Sequence, residues 1–316
     1  MNNKRWSFIA IILIALGIAG MAYQQFDFSN NEELPYHQQK WSFDSLTSLN
    51  VNSDYNVDVK FINSSDNSNY VEVSGNMKQE TIDQLKNTVA AGDSFTLNLT
   101  EKQSWSFFSF NFHSTKQQIT VALSKPEQLD QLKFKLTSND GSFTDLVGKT
   151  IEVSTSSGNI VVDNAKTNQL TLNATSGNIT AKKIAGDTEI NLTSGNTKVD
   201  ELTGALIVES TSGEISIDHV NGPVKTSITS GNTKINNLTG PGEFKSTSGN
   251  ITLSNQRSDS LDISNQSGNV KLSIDDSFKG IYDLKSTSGN IKAPDSPMKN
   301  SDLIKIRVTS GNISIE

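Results

Sequence analysis

Residues 193–214 read TSGNTKVDELTGALIVESTSGE and contain one complete copy of a repeat. A Ser-Gly turn followed by Asn or Glu stands at each end, and a second glycine, Gly204, lies nine residues from the glycine of either turn. The turn recurs every 18 to 22 residues, with its glycine at positions 158, 177, 195, 213, 231, 249, 268, 289 and 311. A period of this length is typical of a solenoid, in which each repeat forms one coil and packs only against its neighbours.

Apolar residues alternate with polar residues on both sides of each turn glycine. Five and seven residues before it lies an apolar pair, such as Leu206 with Val208. Two and four residues after it lie two further columns: Ile160, Ile179, Thr197, Ile215, Thr233, Ile251, Val270, Ile291 and Ile313, then Val162, Ala181, Val199, Ile217, Ile235, Leu253, Leu272, Ala293 and Ile315. A period of two indicates strands with one buried face. We therefore predict an all-β, single-chain parallel β-solenoid with two strands per coil of about 18 residues, stacked ~4.8 Å apart.

The turn itself carries a strong residue preference. Asparagine follows the glycine in eight of nine turns, and Glu214 replaces it in the other. A stacked asparagine ladder and a ligand-binding ridge both explain this pattern. Glycine in the turn indicates a positive φ or a close approach between coils.

The N-terminus predicts a membrane anchor. Lys4 and Arg5 precede an apolar run at 6–23, which is long enough to span a bilayer and is oriented by its basic flank with the bulk of the chain outside. Gly20 and Ala22 leave a cleaved signal peptide open as the alternative. The predicted organisation is a cytoplasmic N-terminus at 1–5, a transmembrane helix at 6–23, a juxtamembrane spacer at 24–40, an irregular β region at 41–142 and the regular solenoid at 143–316.

We interpret the irregular region at 41–142 as a degenerate start of the same solenoid that contains an insertion. Ser74-Gly75-Asn76 resembles an early copy of the turn, and Asp140-Gly141-Ser142 predicts the first coil. Residues 81–91 predict a short amphipathic helix through Ile82, Leu85 and Val89.

The composition excludes several kinds of site and partner. The chain has no cysteine and a formal charge of −7, which exclude disulfides and thiol chemistry and argue against nucleic acid as a partner. Calcium-roll turns need a Gly-Gly pair and an aspartate in the turn, and both are missing. We predict no cofactor and no metal site.

The sequence contains no recognisable catalytic constellation. Asp200, Asp218 and Asn236 should stack as a polar row at a strand end, which is explained by solvation and leaves a weak cation or sugar site as the alternative. The histidines, His37, His113 and His219, are far apart in sequence, and neither Arg257 nor Arg307 lies in a recognisable acidic constellation. We therefore predict that the protein is not an enzyme.

One segment is unusually aromatic. Within eight residues stand five aromatic side chains, Trp105, Phe107, Phe108, Phe110 and Phe112. The segment either caps the open end of the solenoid or forms a tip that contacts a membrane, a glycan or a partner protein. We treat these five residues as a candidate partner contact.

The stretches ITVALSKP at 119–126 and LKFKLTSNDG at 132–141, followed by the serial Thr-Ser-Gly-Asn-Ile turns behind one anchor, resemble the putative-adhesin family that includes LiaG-like proteins of Gram-positive cell envelopes. The resemblance covers residues 41–316. It implies a β-solenoid displayed outside the cell membrane, association with cell-envelope stress systems, and no established catalytic residues.

Together, these observations predict a membrane-anchored, non-catalytic envelope protein whose faces contact another envelope protein. A glycan-binding adhesin is the alternative, and a carbohydrate-active β-helix enzyme is the weakest reading.

Overall fold

The computed structural model describes residues 34–101, 115–256, 260–275 and 278–316. The predicted anchor at 6–23 and the aromatic segment at 105–112 lie outside the described residues. Within the described ranges no helix is both long and apolar enough to cross a membrane. Residues Pro35–Glu316 form one compact unit.

The described part of this unit is built almost entirely of strands. One short helix, α1, spans Gln79–Lys86, and a 3-10 turn spans Pro126–Gln128. The strands are β1 (Tyr36–Phe43), β2 (Ser48–Ser53), β3 (Asn56–Asn63), β4 (Asn69–Asn76), β5 (Ser94–Leu99), β6 (Lys116–Leu123), β7 (Gln131–Leu136), β8 (Gly141–Val147), β9 (Thr150–Ser157), β10 (Ile160–Ser176), β11 (Ile179–Ser194), β12 (Thr197–Thr203), β13 (Leu206–Ser212), β14 (Ile215–Asn221), β15 (Val224–Ser230), β16 (Thr233–Thr239), β17 (Gly242–Ser248), β18 (Ile251–Gln256), β19 (Ser260–Ser267), β20 (Val270–Ile274), β21 (Ile281–Ser288), β22 (Ile291–Lys292), β23 (Leu303–Ser310) and β24 (Ile313–Ile315).

The strands form two parallel ladders, which confirms the predicted solenoid. Face A contains the strands that follow the Ser-Gly turns, in the order β6, β3, β8, first half of β10, first half of β11, β12, β14, β16, β18, β20, β24, β22. Face B contains the strands that precede the turns, in the order β5, β2, β7, β9, second half of β10, second half of β11, β13, β15, β17, β19, β23, β21. Residues 18 or 19 apart are paired through the regular region, so each coil repeats the contacts of the one before it.

The core lies between the two faces and contains the predicted apolar columns. Of the residues predicted two and four places after the turn glycine, all are buried except Ile291, which is 45% exposed, and Ala293, which is also exposed. On face A the structure adds a third buried column, seven places after the glycine, formed by Ala165, Ile184, Leu202, Val220, Leu238 and Gln256.

A left-handed residue explains why this third column departs from strict alternation. In six of the nine coils the residue six places after the turn glycine has a positive φ, for example 53° at Lys183, 55° at Glu201 and 51° at His219. One residue in this conformation bends the strand and shifts the inward positions by one place. The chain thereby turns its next side chain back into the core.

The turn glycines lie where neighbouring coils approach closely. Gly195 has a φ of 131°, and a Cβ built on it would lie 1.7 Å from the carbonyl oxygen of Gly177 in the adjacent coil. Both the backbone conformation and the missing space exclude a side chain here. The same geometry recurs at Gly213, Gly231 and Gly249.

The asparagines form the predicted ladder. Asn178 Oδ1 accepts the backbone N–H of Asn196 at 3.0 Å, and Asn196 Oδ1 accepts that of Glu214 at 2.9 Å. The ladder starts again at Asn232, whose Oδ1 accepts the N–H of Asn250 at 2.9 Å. The side chains thus satisfy backbone N–H groups that lie between coils at the turn.

The last two coils stack in the reverse of their sequence order. β19 pairs with β23, and β21 pairs with the other edge of β23, so the coil at 281–292 lies outermost. The intervals between turn glycines lengthen to 21 and 22 residues at this point. The extra residues allow the chain to skip one position in the stack, form the outermost coil, and then return to fill the skipped position. The predicted burial of Ile291 and Ala293 is wrong because no further coil among the described residues covers them, although Ile291 keeps the register of its column opposite Ile313.

The opposite end is closed by elements that are not coils. β4 pairs antiparallel with β6, and β1 pairs antiparallel with β4, so β1 begins at Tyr36, inside the predicted spacer at 24–40. Ser74-Gly75-Asn76 is therefore part of an antiparallel strand, and the prediction of an early turn there is wrong. Asp140 does occupy the first coil, because its Oδ1 accepts the N–H of Asn159 at 2.7 Å.

Helix α1 packs on this end beside β5. Ile82 and Leu85 are buried as predicted, but Val89 lies beyond the helix and is 79% exposed. Trp41 packs on Phe95 with ring centroids 5.1 Å apart, and its indole donates to the carbonyl of Thr88 at 2.9 Å. The end of the core near β5 and β6 is thereby covered.

Candidate functional site

The residues named from sequence are distributed between several places. All five aromatic residues of the candidate partner contact, together with His113 and Arg257, lie outside the described residues. His37 lies on β1 at the closed end, whereas His219 lies on β14 in the regular solenoid. The structure does not bring His37 and His219 into one site.

The predicted polar row does form. Asp200 pairs with Asp218, and Asp218 pairs with Asn236, in successive strands of face A. His219 follows Asp218, and its left-handed backbone directs the ring toward the row, with Nδ1 3.1 Å from Asp218 Oδ1 and 3.5 Å from Asp200 Oδ1. One ligand atom each of Asp200, Asp218 and His219 lie within 4.8 Å of one another.

Hydrogen bonds within the row account for this arrangement. Asp218 Oδ1 accepts the amide groups of Asn236 at 3.1 Å and Asn237 at 2.9 Å, in addition to facing His219. The amide of Asn237 also lies 3.2 Å from His219 Nε2. The carboxylate is therefore engaged by its neighbours, and the row stabilises the bend of face A. A cation that used Asp218 would compete with these bonds.

A second feature is a groove on face B that sequence reasoning missed. Its volume is about 520 Å³, and it crosses β15, β17, β19, β23 and β21. The outward residues two and four places before the turn glycines form its walls. They are mainly hydroxyl, amide and cationic side chains: Ser227, Thr229, Lys245, Thr247, Ser264, Gln266, Arg307, Thr309, Lys285 and Thr287. A second groove of about 430 Å³, from β9 to β15, shares Ser227 and Thr229 with the first, so the two are continuous.

The larger groove is cationic in a chain of net charge −7. Lys245, Lys285 and Arg307 line it, and no Asp or Glu is among the described residues that do so. The counter-ions lie one row further out. Lys245 pairs with Glu243, and Arg307 pairs with Asp283.

These pairs affect the acids at the groove rim. The hydrogen bond from Lys245 lowers the pKa of Glu243, and the same pair raises the pKa of Lys245. The hydrogen bond from Arg307 lowers the pKa of Asp283. Around neutral pH the rim is thus a ladder of fixed charges of both signs, while the groove itself presents hydroxyl groups and cations. Asp283 is beside Arg307 because β21 pairs with β23, a neighbour that sequence order does not indicate.

The groove could have been found from the sequence by aligning the polar columns as well as the apolar ones. Threonine stands two places before the glycine in seven of nine coils. What the sequence order could not show is that Arg307 lies between Ser264 and Lys285, because this depends on the reversed stacking of the last two coils.

Several solved structures of bacterial proteins are similar to this chain. A putative adhesin from Bacteroides fragilis shares 11% identity, with 89% of this chain and 97% of that chain covered and a TM-score of 0.35. A putative adhesin from Parabacteroides distasonis shares 13% identity over 89% and 97%, with a TM-score of 0.35. A putative lipid binding protein from the same species shares 12% identity over 90% and 98%, with a TM-score of 0.31.

No curated protein matches the chain. A family model, Toastrack DUF4097, matches residues 46–225 and again residues 219–316. The two matches together extend over most of the chain and include every Ser-Gly turn of the repeat, and they confirm the resemblance to the putative-adhesin family. The chain belongs to the Toastrack DUF4097 family.

Proposed function

We propose that the protein is a non-catalytic interaction protein of the bacterial cell envelope, held at the cell membrane by residues 6–23 with its solenoid outside. The observation that supports an interaction role is the continuous groove on face B, which offers rows of hydroxyl and cationic groups at the regular spacing of the coils. Such a surface suits an extended partner with many acceptor groups, because every coil places a hydroxyl or amide side chain two residues before its turn glycine.

The described residues do not converge in the way that hydrolysis of a glycan requires. Glycosidases place two carboxylates on either side of the scissile bond, one of them with a raised pKa. Asp200 and Asp218 lie close together on face A, away from the groove, where both face His219 and Asp218 accepts the amides of Asn236 and Asn237.

The partner is proposed to be an envelope protein, with a role in the envelope-stress response. The test is cross-linking in intact cells of the full chain against a variant in which Lys245 and Lys285 are both replaced by glutamine. Loss of one cross-linked partner, with the fold retained, supports the groove as the contact. The matched control replaces Lys198 and Lys234, exposed lysines of face A, by glutamine. Equal loss of the cross-linked partner in both variants would refute the groove as the contact surface.

The alternative is a glycan-binding adhesin, favoured by the rows of Ser, Thr and Asn side chains in the groove. Soluble residues 34–316 should then bind cell-wall glycans in a panel, and the paired glutamine variant should bind less. Absence of binding across the panel would exclude this alternative.

The anchor is tested separately. Full-length protein should resist extraction from membranes by high salt and alkali, whereas a chain beginning at residue 34 should not be retained. Release of the full-length chain by salt would show that residues 6–23 do not hold it there.

A further inference from the structure

The two ends of the solenoid are finished differently. Helix α1 and the antiparallel strands β1 and β4 cover the end near β5 and β6. At the other end, and among the described residues, β21 pairs with β23 alone and β22 with β24 alone. The outer edge of β21 is therefore an unpaired strand edge, which is a template for another strand.

The direction of the backbone groups on β21 can be assigned. The N–H of Ile281 donates to Asp302 at 2.8 Å, toward β23. Successive residues of a strand direct their N–H and C=O groups to opposite sides, so those of Tyr282, Leu284 and Ser286 point away from β23. The Tyr282 N–H donates to Ser296 Oγ at 2.9 Å, which places a loop over the start of the edge. Among the described residues, the backbone groups of Leu284 and Ser286 therefore face outward.

Apolar surface accompanies this edge. Ile281 and Ile291 are 38% and 45% exposed, although residues at the position of Ile291 are buried in every other coil. Leu284 is only half-buried, whereas Ile263 and Ile306 in the same column are fully buried. A further layer on this end would bury all three.

A second copy of the chain is self-complementary to this edge. In an antiparallel pair centred on Leu284, Asp283 of one copy lies opposite the partner's Lys285, and the reverse pair forms by symmetry. Lys285 has no carboxylate within ion-pair distance among the described residues, so it is available. If the pair were centred on Lys285 instead, the two Lys285 side chains would lie opposite each other. If one strand slipped by one residue against the other, the apolar face of one copy would point outward.

A two-fold interface uses the same edge of both copies, so this contact closes at two. We infer that the protein forms a two-fold dimer through the outer edge of β21, as an antiparallel strand pair centred on Leu284.

The absence of cysteine from the whole chain permits a direct test by cross-linking. Residues that face each other as a hydrogen-bonded antiparallel pair have Cα atoms about 5.5 Å apart, within the range that a disulfide spans. Under mild oxidation, full-length Leu284→Cys in membranes should therefore give a dimer on a non-reducing gel that dithiothreitol reverses.

Two controls fix the register of this contact. Ser286→Cys lies two residues from the axis, so its two copies would be roughly 14 Å apart, too far to form a disulfide. Thr229→Cys is exposed in the middle of face B. Cross-linking of Leu284→Cys that does not exceed that of Thr229→Cys would overturn the dimer, and cross-linking of Ser286→Cys instead would overturn the register.

The charge pairing is tested in solution with residues 34–316, which include the compact unit Pro35–Glu316. Lys285→Asp places a carboxylate opposite Asp283 of the other copy, twice in the dimer. It should raise the dissociation constant of the dimer roughly tenfold, as measured by sedimentation velocity. Lys234→Asp, on face A and far from the edge in the stacking order, should leave it unchanged. A monomer at every concentration for the unsubstituted fragment, or an equal effect of both substitutions, would overturn the proposal.

Discussion

Single residues decide the regularity of each coil, and the two that depart from the repeat are the most informative. Glu214 replaces an asparagine in the turn, and the asparagine ladder stops there before it starts again at Asn232. Glu201 occupies a left-handed position where most other coils place Asn, Asp or His. A substitution at either position should change the free energy of unfolding in a direction that the structure predicts.

Glu214→Asn should stabilise the solenoid by about 1 kcal/mol, the usual net contribution of one hydrogen bond. Asparagine at this position would accept the N–H of Asn232, as Asn232 does for Asn250. The midpoint of guanidinium denaturation measures the change. Glu214→Gln, which removes the same charge but carries its amide on a longer side chain, is the control and should have little effect.

Glu201→Gly should also stabilise, by roughly 0.5–1 kcal/mol. The left-handed conformation costs a non-glycine residue about 1–2 kcal/mol, and the added chain entropy of glycine offsets part of that gain. The equivalent change Asn237→Gly should destabilise, because Asn237 tolerates this conformation and its amide also bonds Asp218. If Glu201→Gly and Asn237→Gly shift the midpoint of denaturation in the same direction, this explanation is contradicted.

At the scale of strands and turns, each inward column is a set of matched sites that differ only in their place along the stack. Ile251 and Ile291 occupy the same position of the coil, but Ile251 is 1% exposed and Ile291 is 45% exposed. The difference arises because the coil at 281–292 has a neighbour on one side alone.

Ile251→Ala should therefore cost about 2–5 kcal/mol, as expected for removal of a buried aliphatic side chain. Ile291→Ala should cost less than about 1 kcal/mol in the monomeric protein. Denaturation at a low protein concentration measures both, and similar costs would mean that Ile291 is covered.

The strands show what a sequence of this kind can and cannot predict. Alternation around the turn glycine predicted the columns of Ile215 and Ile217 because identical neighbours bury identical positions. The column of Leu202 and Val220 was missed, because one left-handed residue shifts the alternation without a constant sequence signal. The groove on face B needed the spatial neighbours of Arg307, which the order of coils in the sequence does not give.

The whole solenoid unit behaves as a stack whose members are interchangeable in its regular part. Residues 18 apart share one position, and the pairing of β12, β14 and β16 is the same at each step. Stability in such a stack comes mainly from contacts between adjacent coils.

Deletion of residues 214–231 removes one whole coil and should leave a folded protein. Gly213 would then precede Asn232 in a normal turn, and the strands of coils that were two levels apart would meet in register. Circular dichroism should show the strand content of the parent, with a cooperative thermal transition. Deletion of 214–222, half a coil, removes β14 of face A and joins β13 directly to β15, its parallel neighbour on face B, so it should prevent folding because parallel strands need a crossover between them. Equal tolerance of both deletions would contradict a stack with an 18-residue unit.

The reversed order of the last two coils has a consequence for how the chain is completed during synthesis. The C-terminal residues belong to an inner coil: Ile315 is buried, and the N–H of Glu316 donates to Leu272 at 2.9 Å. When the segment at 281–292 leaves the ribosome, the β23–β24 coil on which it finally rests does not yet exist. A chain that stops before residue 303 therefore lacks the layer beneath its outermost coil, and the stack closes only after β23 and β24 have been made.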